Sequence, residues 1–171
     1  MLTETTLSAR ELAQVWQQMR QDEDLPERYE LTQHGEVIMA PKPTNRHQIV
    51  AAEIAFQLRL QLGGKAVTEA ALLTRTAGVR VPDVVWMPAD RWAAVTREND
   101  LLSAPELVVE VLSPGNRRGE VAYKVSAYLD SGVTEVLVVA LDGTLLFHRA
   151  DGTHEHSSFG VKFDLPAELF A

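Results

Sequence analysis

Two carboxylates stand where carboxylates are costly. Asp83 lies in Arg80-Val-Pro-Asp-Val-Val-Trp86 and Glu110 in Glu106-Leu-Val-Val-Glu-Val-Leu-Ser-Pro114. Both runs are short and valine-rich, the pattern of buried strands. A carboxylate in such a run must be hydrogen-bonded, charge-paired or bound to a metal. Strand periodicity puts Val81, Asp83 and Val85 on one face, and Val108, Glu110 and Leu112 on one face of the other run. If the strands are neighbours, the two carboxylates point the same way and can hold one or two divalent ions. Mg²⁺ or Mn²⁺ fits, because such ions use few protein carboxylates and complete their shell with water and phosphate oxygens. The chemistry this offers is phosphodiester hydrolysis, with a polarised phosphoryl oxygen and a hydroxide made from water.

That reaction also needs a cation for the developing charge, and Lys124 is the candidate. On the helix expected over 118–131, Val121, Val125 and Tyr128 form the inward stripe and Lys124 lies on its edge, one turn from Val121 and from Tyr128. Arg117 and Arg118 precede it and could meet phosphates. The competing reading is structural: an ion-pair cluster, with Lys124 snorkelling and both arginines solvated.

The elements that must position these residues follow from capping and periodicity. Ser8 and Glu11 form a capping box ahead of Leu12, Val15, Trp16 and Met19 at helical spacing. Residues 28–32 and 36–40 read as a hairpin turning at Gln33-His-Gly35. Thr44 or Asn45 caps a helix to about Leu62, closed by Gly63 and Gly64. That helix is apolar on most of its circumference, which predicts packing against a sheet and against a partner subunit; Arg46, Gln57 and Gln61 form its half-exposed polar edge. Strands are expected over 66–76 and 79–87, joined by Ala77-Gly78, then a polar irregular stretch over 88–103 with a short helical piece near 91–95. Strands over 106–112, 134–141 and 145–149 follow, with turns at Asp142-Gly143 and Asp151-Gly152 and one last strand. The order predicts an α/β (α+β) domain, a central mixed sheet flanked by helices, as one unit over 1–171.

Composition narrows the classes. At 171 residues, 46% hydrophobic and 23% charged, the chain can bury a core of its own. It contains no cysteine, so disulfides and thiolate metal sites are excluded. No apolar run approaches the roughly 20 residues that span a bilayer, and the polar first ten residues lack the apolar core of an export signal; a cytoplasmic setting is expected. The net charge of −8 is unfavourable for a protein that tracks a nucleic-acid backbone, which usually presents a basic patch.

The ordered motifs resemble a known family. Val-Pro-Asp83, Pro105-Glu-Leu-Val-Val-Glu110-Val-Leu-Ser-Pro114, Lys124 and Tyr128-Leu-Asp-Ser-Gly132-Val are similar to the Uma-two family of the PD-(D/E)XK nuclease superfamily. The resemblance extends upstream through Arg28-Tyr-Glu-Leu, Gly35-Glu and Pro43-Thr-Asn-Arg-His47. It implies a restriction-endonuclease-like core, a Mg²⁺- or Mn²⁺-dependent DNA endonuclease, and Asp83 and Glu110 as metal ligands. The superfamily's lysine stands two residues after the glutamate, where this chain has Leu112; the resemblance implies that its role has moved to Lys124. Glu30 and His47 match family positions near the site, Glu30 as an extra ligand and His47 as a residue that orients water or phosphate. Cutting both strands of DNA also favours a homodimer.

Two other readings stand beside this one. The acidic charge and the apolar long helix fit an inactive nuclease fold used as an oligomeric interaction module. His154 and His156 would share a strand face and form half of a zinc site, for which no third ligand is evident. Ser113, followed by Pro114, has no histidine partner and is not a nucleophile candidate.

Overall fold

The computed structural model describes residues 5–96 and 100–171. Residues 1–4 of the N-terminal stretch and 97–99 of the expected irregular segment lie outside this description. Helix α1 (Ala9–Met19) starts on Ser8, whose hydroxyl accepts from the Glu11 N–H while the Glu11 carboxylate accepts from the Ser8 N–H. Strands β1 (Tyr29–Leu31) and β2 (Val37–Met39) form the hairpin. Helix α2 (Asn45–Leu62) is capped by the Thr44 hydroxyl, which accepts from the His47 N–H, and stops at Gly63, whose φ of 68° a side chain would resist. Next come β3 (Lys65–Thr68), β4 (Leu72–Leu73), β5 (Val79–Arg80), β6 (Val84–Met87), α3 (Ala89–Ala93) and β7 (Leu102–Ser103). The chain continues through β8 (Leu107–Val111), α4 (Arg118–Asp130), β9 (Glu135–Val139), β10 (Leu145–Arg149), β11 (Gly152–His154) and a 3-10 turn at Ala167–Phe170.

Where one central sheet was expected, there are two mixed sheets. One runs β2-β1-β5-β4-β7, the other β11-β10-β9-β8-β6-β3. The reason is visible in two strands that read as continuous in sequence. The run over 66–76 divides into β3 and β4, and the run over 79–87 into β5 and β6, so β3–β6 pair in the six-stranded sheet while β4–β5 pair in the five-stranded one. Pro82 has no N–H to give a ladder and pushes Val81 out of regular pairing. On the paired segment Glu69 takes φ 56°, a left-handed conformation that ends β3. The Glu69 N–H still donates to the Asp83 carbonyl (3.3 Å), so the two segments bend together from one sheet to the other.

The central strands of the six-stranded sheet, β6, β8 and β9, are buried on both faces. Val84, Trp86, Leu107, Val109 and Leu137 pack under α2, while Val85, Val108, Val136 and Val138 pack under Val125 and Tyr128 of α4. Each fully buried Leu or Val contributes roughly 1.5–3 kcal/mol. A smaller core joins Leu12 and Trp16 of α1 to Leu31 and Val79 of the five-stranded sheet. The expected polar edge of α2 is put to a different use. Gln57 is buried; its amide donates to the Asp164 carbonyl and accepts from the Asp164 N–H, and Gln61 does the same with Lys162. The chain after β11, extended and short of ladder partners, is thereby tied to α2.

Candidate active site

Asp83 is not inside a strand. It ends the Val81-Pro82-Asp83 bend, one residue before β6. The β6–β8 register pairs Val85 with Val108 and Val84 with Val109, so one more step sets Asp83 opposite Glu110. The Asp83 N–H donates to the Val109 carbonyl (3.1 Å), and Asp83 Oδ2 accepts from the Val111 N–H (2.7 Å). Asp83 is therefore fastened to β8 on both sides of Glu110. Glu110 shares its face with Val108, under α4, where the Tyr128 hydroxyl donates to Glu110 Oε1 at 2.6 Å. The two carboxylates are thus brought opposite each other by the β6–β8 register, with Asp83 on the bend before β6 rather than inside the strand.

Three further groups converge here. Lys124 Nζ lies 3.7 Å from Glu110 Oε1 and 3.3 Å from Glu30 Oε1. Glu30, in the middle of β1, also accepts from Arg80 Nη1 (2.9 Å) and from the Val81 N–H (2.9 Å). His47, in the first turn of α2, places Nε2 3.2 Å from Asp83 Oδ2, and its Nδ1 is buried with no partner among the described residues. All five expected site residues line one cleft of about 680 Å³, which extends outward to Arg28, Lys42, Tyr29 and Met39. Arg117 and Arg118 are exposed at the start of α4, beside cleft-lining Asn116.

The charges are strongly coupled. Burial pushes the Glu110 carboxyl up to about 7; the Lys124 ammonium pulls it down, and the negative charge of Asp83 pushes it up again. Burial would lower Lys124, but the carboxylates of Glu110 and Glu30 outweigh it and hold the ammonium above the ordinary lysine range. The hydrogen bond to Asp83 raises His47 above the usual imidazole value against its burial. Tyr128, buried and facing a carboxylate, is held well above the phenol range and stays a donor.

These residues fit a hard divalent ion. The hydrogen bonds to Asp83 fall on Oδ2 and those to Glu110 on Oε1, which leaves the other oxygen of each carboxylate without a protein donor among the described residues. A cation there would also offset the burial, and the lesser repulsion from Asp83, that raise Glu110. No group of three His, Cys, Asp or Glu side chains close enough to share an ion occurs among the described residues. Two carboxylates, each with one oxygen open, suit Mg²⁺ or Mn²⁺, which use few protein carboxylates, better than zinc, which takes three or four protein ligands. The His154 and His156 pair shows the contrast: His154 bonds Asp151 (2.8 Å), and the carbonyl of His156 accepts from Arg149.

Sequence reasoning passed over Arg80 and gave Tyr128 only a packing role. A signal for Arg80 was present, since a cation in an apolar strand needs a partner as much as a carboxylate does. Arg28 and Glu69, paired across the cleft wall at 2.6 Å, carried no such signal, because Glu69 was expected on an ordinary strand.

A family model described as "Uma2: Putative restriction endonuclease" matches residues 15–168. Among solved structures, a crystal structure described as a "putative nuclease belonging to DUF820" from Anabaena variabilis superposes with a TM-score of 0.69. The match covers 91% of this chain and 96% of that one at 19% identity, a likeness of fold. Among curated proteins the chain has no match. The two mixed sheets and their flanking helices are thus a restriction-endonuclease-like fold.

Proposed function

The chain belongs to the Uma2 family, and from that premise we propose that it is a divalent-metal-dependent DNA endonuclease. The observation that carries the reading is the convergence of Asp83 and Glu110 at one end of the cleft, with Lys124 Nζ 3.7 Å from Glu110. Asp83 and Glu110 would hold Mg²⁺ or Mn²⁺ through their second oxygens. When bound, that ion supplies Lewis-acid polarisation of a phosphoryl oxygen and lowers the pKa of water. The chain's own groups do the rest. Tyr128 and the Val111 N–H fix the two carboxylates from behind. Lys124, kept protonated by its carboxylate neighbours, faces the charge that builds on the phosphoryl oxygens. His47, oriented by Asp83, stands where it can meet a water or a phosphate oxygen.

The test is nicking of supercoiled plasmid with Mg²⁺ or Mn²⁺ against EDTA. Asp83→Asn is expected to abolish cleavage, and Lys124→Ala to slow it by about 10²-fold or more. If metal changes nothing and the variants match the native chain, the reading is wrong. DNA is taken as the substrate from the family description; an RNA arm of the same assay decides between them.

We also propose a homodimer in a cytoplasmic setting. Ile49, Phe56 and Leu60 form one stripe along α2 and are 53%, 56% and 70% exposed. The same stripe favours the alternative reading, a nuclease fold kept as an interaction module, which predicts a stable dimer without metal-dependent cleavage. Sedimentation run beside the plasmid assay separates the two. Among the described residues no helix is long and apolar enough to cross a membrane.

A further inference from the structure

We infer that Glu30, backed by Arg80, is a positioning residue for Lys124 rather than a third metal ligand. The two sheets then divide the site: the six-stranded sheet sets the carboxylates, and the five-stranded sheet sets the cation. This rests on the nuclease reading of the same cleft.

Glu30 has no oxygen to spare. Oε2 accepts from Arg80 Nη1 at 2.9 Å; Oε1 accepts from the Val81 N–H at 2.9 Å and from Lys124 Nζ at 3.3 Å. Both Glu30 and Arg80 are 7% exposed, and Arg80 lies over the Tyr123 ring of α4 at 5.9 Å from its centre. Turning Glu30 to a metal would strand the Val81 N–H and leave a buried guanidinium without its counter-charge, the costly case for an ion pair. Nor do three metal-binding side chains come close enough to share an ion among the described residues.

Lys124 needs such a partner because of where it sits. A lysine on β8 would be aimed by the ladder; on α4 its four-carbon stem is free to swing and loses considerable rotamer freedom when held. Glu110 cannot hold it alone, since a bound cation would neutralise the charge that attracts the ammonium. Glu30 lies outside the carboxylate pair and is anchored by Arg80 on its far side, and so holds Lys124 whether or not metal is present. Arg80 and Glu30 come from adjoining strands, β5 and β1, so the tether is rigid.

The variants are Glu30→Gln, Arg80→Met, Arg80→Lys and, as control, Asp83→Asn, each melted first to confirm folding. Mn²⁺ binding is titrated by the electron-spin signal of the free ion, and plasmid cleavage is resolved into kcat and KM. Glu30→Gln is expected to keep native Mn²⁺ affinity within about twofold, where Asp83→Asn loses at least about tenfold. Glu30→Gln and Arg80→Met lower kcat by about 10- to 100-fold with KM little changed, the mark of a group felt in the transition state. Arg80→Lys, which retains one donor to Glu30, recovers part of the loss. Glu30→Gln weakening Mn²⁺ as much as Asp83→Asn would make Glu30 a ligand and overturn the inference. So would native kcat in both Glu30→Gln and Arg80→Met. A native chain that neither binds Mn²⁺ nor cleaves refutes the nuclease reading itself, and the inference falls with it.

Discussion

Replacing Glu110 with Gln should make the protein more stable above pH 7 while abolishing cleavage. Burial pushes the Glu110 carboxyl up to about 7 in the folded chain, against an ordinary value of 4.5. Its folded pKa is raised, so the associated stability is complete below about 4.5 and is lost as pH rises through about 7. In that window the unfolded chain has released the proton and the folded chain has not, and each pH unit costs about 1.4 kcal/mol. Over the whole window the native chain gives up roughly 3 kcal/mol, after which the curve is flat. Glu110→Gln carries no titration there. Its amide oxygen can still accept from Tyr128, and Lys124 remains paired with Glu30. The stability difference should therefore grow from near zero at pH 4.5 to roughly 3 kcal/mol above pH 7, in favour of the variant. Urea unfolding in EDTA at half-unit pH steps measures it, with equal m-values required for the comparison. Adding Mn²⁺ at 100 times its dissociation constant should return about 2.7 kcal/mol to the native chain and little to the variant. A pH-independent difference, or a variant less stable at pH 8 than the native chain, would refute the reasoning. It would mean that the Lys124 pairing outweighs the burial of the charge.

Tyr128→Phe removes a buried 2.6 Å hydrogen bond and should cost about 1–2 kcal/mol in urea unfolding; Glu110 then titrates above about 7, visible as a shift of the same pH curve. Asp83→Asn should bring the His47 pKa down, since Asp83 is the group that raises it against burial; NMR titration of the imidazole protons reads this directly. Arg149→Met leaves Glu135, which is fully buried, without its cation and should cost about 3–5 kcal/mol while Mn²⁺ affinity stays native. Phe56→Glu, on the exposed stripe of α2, should shift sedimentation to monomer and leave the melting temperature within a few degrees.

The helices were legible because their signals are local. The Ser8–Glu11 box, the Thr44 cap and the Gly63 stop each act within one turn, and each stands where the sequence puts it. The division of the sheet was not legible, although its causes are single residues. Pro82 lies inside the expected 79–87 strand, yet it is the point at which β5 leaves one sheet and β6 enters the other. Glu69 gives no sequence sign that it will take a positive φ. Asp83 and Glu110 do meet, across the β6–β8 register, but Asp83 stands on the bend before β6 rather than inside a strand. Arg80 and Glu30 are 50 residues apart, and only the β1–β5 pairing brings them together. No local pattern encodes that contact.

The same register accounts for a lysine on the helix. Residues 108 and 110 share the face of β8 that α4 covers, and Leu112, one residue past the strand, packs against the core cluster that holds Val125 and Tyr128. A lysine at 112 would carry its charge into this apolar contact. With Leu112 completing the core, the ammonium reaches Glu110 from the covering helix instead, and Lys124 stands one turn from Tyr128, which holds the same carboxylate. In the nuclease reading, Lys124 has no ladder to aim it, and its aim is left to whatever lies across the cleft. Across the cleft lies β1, whose central residue is Glu30. A site arranged this way is complete only while the two sheets keep their relative position, and the Val81-Pro82-Asp83 bend that joins them fixes that position and one of the carboxylates together.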